Sequence, residues 1–230
     1  MIYVTGDMHG DRSRLDKKRL KALRAGDTLI VCGDFGFLWD DSRAEQKFLY
    51  KLSRRPYNIF FIDGTHENFE LLYRCPVEEK YGGKVHVITD NICHLIRGQI
   101  FEIEGKTVFA MGGGQNPDRD PDDELEESAT HYEIPSKTEM LTAVENLEKH
   151  NYKIDLIVTH EPPAKIKDFL LLSENAVSGP TALRAFFDEL SSQTEYKKWF
   201  FGSMHTDKFI SSSMTAVFNA VINTETGEKV

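Results

Sequence analysis

Ile2-Tyr3-Val4-Thr5-Gly6-Asp7-Met8-His9-Gly10 sets a short apolar run directly before a glycine turn that carries a carboxylate and an imidazole. The run, 2–5, reads as a buried strand because apolar and β-favouring residues follow one another without a polar break. Asp7 and His9 are two residues apart, so in extended geometry they point to the same side and can reach one ion. The pattern recurs four times. TLIVC (28–32) leads into Gly33-Asp34-Phe35-Gly36, and NIFFID (58–63) into Gly64-Thr65-His66-Glu67-Asn68. DLIVT (155–159) leads into His160-Glu161-Pro162-Pro163, and KKWFF (197–201) into Gly202-Ser203-Met204-His205. A fold that brings parallel strand ends together gathers these five turns in one place. Clustered Asp and His with open coordination positions make a transition-metal site suited to hydrolysis.

Outward from these blocks, the first half alternates strand and helix. Helices are expected near 12–24 (Leu15, Leu20 and Leu23 inward), 42–54 and 67–73. A β-rich middle follows at 84–88, 93–97, 99–104 and 106–111. A polar stretch, 112–135, carries Gly112-Gly113-Gly114 and an acidic run from Asp118 to Glu127; a connection this long suggests a functional lid or disorder. Ser136 and Glu139 form a capping-box pair opening a helix to about 149. Strand 154–159, a helix near 180–191, and strands 197–202, 207–212 and 215–222 complete the pattern. With no repeat and no linker, the expectation is one domain, 1–230, with two layers of sheet.

The chain has 230 residues and a formal net charge of −9. That length supports a substantial core. The acidic balance argues against gripping duplex nucleic acid, but leaves room for a nucleotide or another small phosphorylated substrate held through a metal. Cys32, Cys75 and Cys93 show no CxxC spacing and read as reduced thiols, which places the protein in the cytoplasm. The first strand begins at Ile2, which leaves no room for a signal peptide, and no apolar run approaches the ~20 residues of a membrane span. Oligomeric state is not readable.

The five blocks, in this order, resemble the calcineurin-like metallophosphoesterase superfamily: D-x-H, GD, a GNH-type block, a lone His, and a GHxH-type block. Gly33 to Gly36, Gly64 to Asn68 and Ile134-Pro135-Ser136 are most similar to small bacterial and phage members. The resemblance implies an α/β, four-layer αββα sandwich with two mixed sheets and metals at the strand ends. It implies divalent ions, manganese first, with iron, zinc, nickel or magnesium as alternatives. It also implies hydrolysis of a phosphomonoester or phosphodiester by metal-bound hydroxide.

Residue by residue, the resemblance gives the first metal Asp7, His9 and His205, with Asp34 bridging. It gives the second metal Asp34 and His160. The two remaining second-metal positions are Thr65 and Ser203, where the pattern has Asn and His. A hydroxyl is a weak neutral ligand. One ion is therefore expected to bind firmly and the second poorly, or through Asn68, Glu67, Glu161 or His131. His66 matches the histidine beside the leaving group. The alternative is a catalytically impaired module that keeps one metal and binds a phosphorylated ligand or a protein partner. His86, His94 and His150 match no block and read as structural or surface residues. Asp118, Asp120 and Asp122 imitate a calcium loop, but Asp123 and Ala129 stand where it needs Gly and Glu.

Overall fold

The computed structural model describes residues 1–115, 132–171 and 181–230. The acidic run, His131 and the start of the helix expected near 180 lie outside the described residues. Two mixed sheets form the frame. The first contains β1 (Ile2–Gly6), β2 (Thr28–Cys32), β3 (Asn58–Ile62), β4 (Val77–Lys80), β5 (Gly83–Thr89), β6 (Ile92–Leu95) and β13 (Ile222–Asn223), ordered β13-β1-β2-β3-β6-β5-β4. The second contains β7 (Gln99–Ile103), β8 (Lys106–Met111), β9 (Lys153–Thr159), β10 (Glu195–Phe201), β11 (Lys208–Phe209) and β12 (Met214–Ala216), ordered β11-β12-β10-β9-β8-β7. Central pairs are parallel and the edges antiparallel.

The layers follow from the alternation of side chains along each strand. Ile2, Val4, Ile30, Cys32, Phe60 and Ile62 face Phe101, Val108, Ala110, Leu156, Val158 and Phe200 across the space between the sheets. The intervening residues Tyr3, Leu29, Val31, Ile59 and Phe61 pack outward on α1 (Arg43–Ser53), α2 (Phe69–Arg74) and the segment with Leu15, Leu20 and Leu23. Phe109, Ile157, Trp199 and Phe201 pack on α3 (Lys137–Lys149), α4 (Ala164–Leu171) and α5 (Ala182–Gln193). The result is the four-layer αββα sandwich.

Several expected elements differ. The helix near 12–24 is a single 3-10 turn, Arg12–Leu15, followed by turns; Asp16 leaves helical geometry at ψ 144. Leu15, Leu20 and Leu23 are all buried, but a step of five residues cannot keep one face of a continuous helix. The strand expected over 215–222 is split between the sheets: β12 pairs with β10, and β13 with β1. The crossing between them passes over the end of β1, where Gly6 N–H donates to Phe218 O at 3.1 Å. The strand expected over 207–212 is reduced to Lys208–Phe209. β4 and α4 were not expected. The capping box at Ser136 and Glu139 is present in full. No described helix is long and apolar enough to cross a membrane.

Candidate metal centre

Parallel register sets the site. Gly6 pairs with Cys32, Cys32 with Ile62, and Thr159 with Phe201. The strands of each sheet therefore end at one level, and the turns that follow deliver Asp7, His9, Asp34, His66, His160 and His205 to the same end of the sandwich. The turns are tight. His9, Asp34, Ser203 and His205 have φ of 46, 48, 61 and 44°, left-handed values that are uncommon outside glycine and concentrate at functional sites. At Gly64, a Cβ would sit 2.1 Å from Asp34 Oδ1, so only glycine lets this turn close on the carboxylate.

Asp34 lies at the centre and is buried. Its Oδ1 accepts from the N–H groups of Thr65 and His66, each at 2.8 Å. Its Oδ2 faces three imidazoles: His66 Nδ1 at 3.2 Å, His9 Nε2 at 3.7 Å and His160 Nε2 at 3.9 Å. Asp7 is fully buried. Its Oδ1 accepts from Ser203 N–H at 3.1 Å and lies 3.4 Å from His160 Nδ1. Its Oδ2 lies 3.7 Å from His205 Nε2 and has no hydrogen-bond partner. His9 Nε2 and His205 Nε2 converge to 3.2 Å.

These contacts test whether ions fit. Buried carboxylate oxygens are normally hydrogen-bonded, so an unpartnered Asp7 Oδ2 among imidazoles marks a place for a cation. His9, Asp34 and His205 offer three ligand atoms within 4.8 Å of one another, and Asp7, Asp34 and His160 offer three more, with Asp34 common to both. Mixed imidazole and carboxylate donors suit divalent first-row ions. The grouping departs from the expected split in one respect. Asp7 sits with His160 in the compact trio, while its Oδ2 looks toward His205.

Thr65 and Ser203 are present at the site, but they act there through the backbone. Their N–H groups hold the carboxylates of Asp34 and Asp7, and the Thr65 hydroxyl lies 3.2 Å from His66 Nδ1. The substitutes considered from sequence are engaged elsewhere. Asn68 caps α2 and donates to Trp39 O. Glu161 accepts from Arg184 Nε at 2.8 Å and Lys167 Nζ at 3.1 Å. Glu67 accepts from the N–H groups of Phe35 and Gly36 at 2.6 and 3.2 Å, so it supports the turn that carries Asp34.

The electrostatics are strongly coupled. Burial works against the Asp34 charge, but His160 and the hydrogen bonds from His66 outweigh it and hold the carboxyl well below its usual range. Burial also opposes charge on His160, yet Asp34 and Asp7 push it up to about 10. His66 is raised, chiefly by its hydrogen bond to Asp34. His9 is lowered by desolvation. Desolvation and the neighbouring Asp34 charge push Glu67 up to about 8.

Sequence reasoning missed Arg14. Its buried guanidinium donates to Asp7 O at 3.1 Å, Gly6 O at 3.0 Å and Phe218 O, tying the end of β1 to the crossing segment. Phe218 stacks on the His205 ring at 5.0 Å. A helix-like pattern around Leu15 concealed Arg14, and an expected strand concealed Phe218; neither offered a signal of its own. A family model described as calcineurin-like phosphoesterase matches residues 1–207. No curated protein matches the chain.

Proposed function

Because the chain belongs to the calcineurin-like phosphoesterases, we propose that it hydrolyses a phosphomonoester or phosphodiester at divalent ions held by Asp7, His9, Asp34, His160 and His205. Family membership supports metal-dependent phosphoester hydrolysis in general. The observation that carries the residue assignment is the pair of buried carboxylates, Asp7 and Asp34, facing four imidazoles with Asp7 Oδ2 unpartnered. Bound divalent ions would supply Lewis acidity toward a phosphoryl oxygen and make a water acidic enough to attack near neutral pH; manganese is the first candidate.

The chain's own groups do the rest. Asp34 receives two backbone N–H bonds, so its Oδ2 is aimed and not free to swing. That oxygen orients His66 through Nδ1 at 3.2 Å. With Nδ1 so held, Nε2 is the nitrogen left for a substrate oxygen, where an imidazole can donate a proton to a leaving group. The two sheets share one core, which supports reading 1–230 as one domain.

Purified protein with manganese is expected to cleave bis-nitrophenyl phosphate or nitrophenyl phosphate, and Asp34→Asn to abolish the cleavage. Absence of turnover with every divalent ion, or turnover that survives Asp34→Asn, would overturn the reading. Thr65 and Ser203 favour the second reading, a module of low turnover holding one ion and a phosphorylated ligand or a protein partner. That reading predicts near-stoichiometric binding of one manganese with negligible turnover.

A further inference from the structure

We propose that the cavity beside His9 and His66 is a leaving-group subsite for a phosphoester that carries a planar aromatic ring and a second anionic group, the chemistry of a nucleotide. The proposal deepens the phosphoesterase reading and rests on it for the position of the phosphate. The cavity measures about 450 Å³ and is lined by His9 and His66 together with Arg12, Phe37, Trp39 and Phe48. That volume is in the ordinary range for small-molecule sites. The two imidazoles belong to the site described above; the other four residues have no part in it.

Trp39 is the first argument. Of the two tryptophans in the chain, Trp199 is fully buried, whereas Trp39 is 52% exposed. Its backbone is nevertheless tightly fixed. Buried Glu45 accepts from the N–H groups of Trp39, Asp40 and Asp41 at 2.6, 3.1 and 3.2 Å. Asn68 Nδ2 donates to Trp39 O at 2.7 Å. Burying a carboxylate is costly unless it is hydrogen-bonded, and here its backbone partners are the turn that leaves a large flat ring in water next to a cavity. A ring held that way is a stacking platform, and base–aromatic stacking needs only a π face on the partner.

Arg12 is the second argument. Its guanidinium lies over the Phe48 ring, 5.0 Å from the centroid, and Phe48 contacts Phe37 at 5.1 Å. A guanidinium held over a ring face donates no hydrogen bond to the ring edge, and its N–H groups match phosphate oxygens. Asp40 also lines the cavity, and its Oδ1 accepts from Ser42 N–H at 3.0 Å. Arg12 with two carboxylates, Asp40 and the backbone-bonded Glu45, makes the cavity poor for a bare polyanion and better for a ring with one further anion. In the reaction the P–O bond to the ring-bearing alcohol breaks. Water gives its oxygen to phosphorus, and a proton goes to the leaving oxygen.

Three phosphomonoesters separate the contributions: adenosine 3′,5′-bisphosphate (ring and second phosphate), AMP (ring alone) and glycerol 3-phosphate (neither). The kcat/KM ratio of AMP to glycerol 3-phosphate is expected to be about tenfold or more. Trp39→Ala should bring that ratio close to one, while Trp39→Phe, which keeps a ring, should preserve most of it. Arg12→Gln should lower the bisphosphate-to-AMP ratio. Adenosine, which has no phosphate to lose, should quench the fluorescence of the manganese-loaded protein, and Trp39→Phe should remove the quench. Equal turnover of all three esters without a quench would overturn the subsite and leave the phosphoesterase reading standing. A quench without turnover of any of these esters or of bis-nitrophenyl phosphate would support the ring site and overturn that reading.

Discussion

Asp34 and Asp63 are buried carboxylates at the ends of neighbouring strands, β2 and β3, and both have imidazoles beside them, yet only one is electrostatically closed. Asp63 Oδ1 accepts from His94 Nε2 at 2.9 Å. Its Oδ2 accepts from Arg97 at 2.9 and 2.5 Å. Arg97 in turn donates to the carbonyls of Tyr132 and Glu133, at 2.7 and 3.1 Å. A guanidinium that never loses its proton fills the cation position permanently. Among the described residues no guanidinium reaches the Asp34 side chain; its Oδ2 has imidazoles at 3.2 to 3.9 Å, and nearby Asp7 Oδ2 has no hydrogen-bond partner. The same residue types thus make a structural clamp where the sequence supplies the cation, and a cluster that could take an ion where it does not.

The largest effect should come from opening the closed cluster. Arg97→Met leaves Asp63 buried without its counter-charge, and breaking a buried pair in this way costs about 3–5 kcal/mol. Asp7→Asn, measured on metal-free protein, should cost less, because Oδ2 has no hydrogen bond to lose and an amide oxygen can still accept from Ser203 N–H; what is lost is the charge facing His160. Urea unfolding of both variants checks the contrast. An Asp7→Asn loss as large as that of Arg97→Met would show that the open site is also a structural clamp.

Filling the open cluster should come next. A ligand that binds only the folded state at a hundredfold excess over its Kd stabilises by about 2.7 kcal/mol, which corresponds to a Tm rise of about 5–10 °C for a chain of this size. Manganese should produce such a rise in the wild-type protein, and Asp7→Asn should remove most of it. An equal rise in both would place the ion elsewhere.

Thr65→Asn with Ser203→His tests whether the open cluster is half built. Ser203 has φ of 61°, but His9 and His205 already hold imidazoles at 46 and 44°, so the backbone tolerates the change. Adding ligands should raise the affinity for a second ion by at least about 10–100-fold. Metal content per chain in limiting manganese should move from near one toward two. A wild-type value already near two would mean that present residues suffice.

The open cluster was the legible one. Its Asp and His residues follow apolar runs directly, so strand ends alone gather them, and the five blocks located Asp7, His9, Asp34, His66, His160 and His205 together. The closed cluster was not legible, because Asp63, His94 and Arg97 meet only through the pairing of β3 with β6. The β4 edge, Val77-Glu78-Glu79-Lys80, is mostly exposed and polar, so no apolar alternation announced it. The 3-10 turn at Arg12–Leu15 was hidden by leucines that are buried in the absence of a helix. Arg14 was hidden with it, because a lone arginine inside an amphipathic pattern reads as surface.

The smallest effect concerns the imidazole behind Asp63, where the comparison turns on protons. His94 Nε2 lies 2.9 Å from Asp63 Oδ1, and His86 Nδ1 lies 3.0 Å from His94 Nδ1, so the two rings share one proton between their Nδ1 atoms. The rings stack at 5.2 Å, and Tyr73 packs on His86 at 5.6 Å. Burial, then the neighbouring His94, lowers His86 to about 4, against a smaller opposing pull from Asp63. An unfolded His86 takes up its proton near pH 6.5, so between about 6.5 and 4 the unfolded state binds more protons than the folded one. Stability from this group is therefore present above pH 6.5 and is lost as the pH falls toward 4. His86→Gln keeps an amide that can donate to or accept from His94 Nδ1 and removes the titration. The Tm of the variant should fall less steeply over that window. Parallel Tm curves would mean that His86 already carries its proton in the folded protein, and that the cluster around Asp63 is open to protons where it is closed to ions.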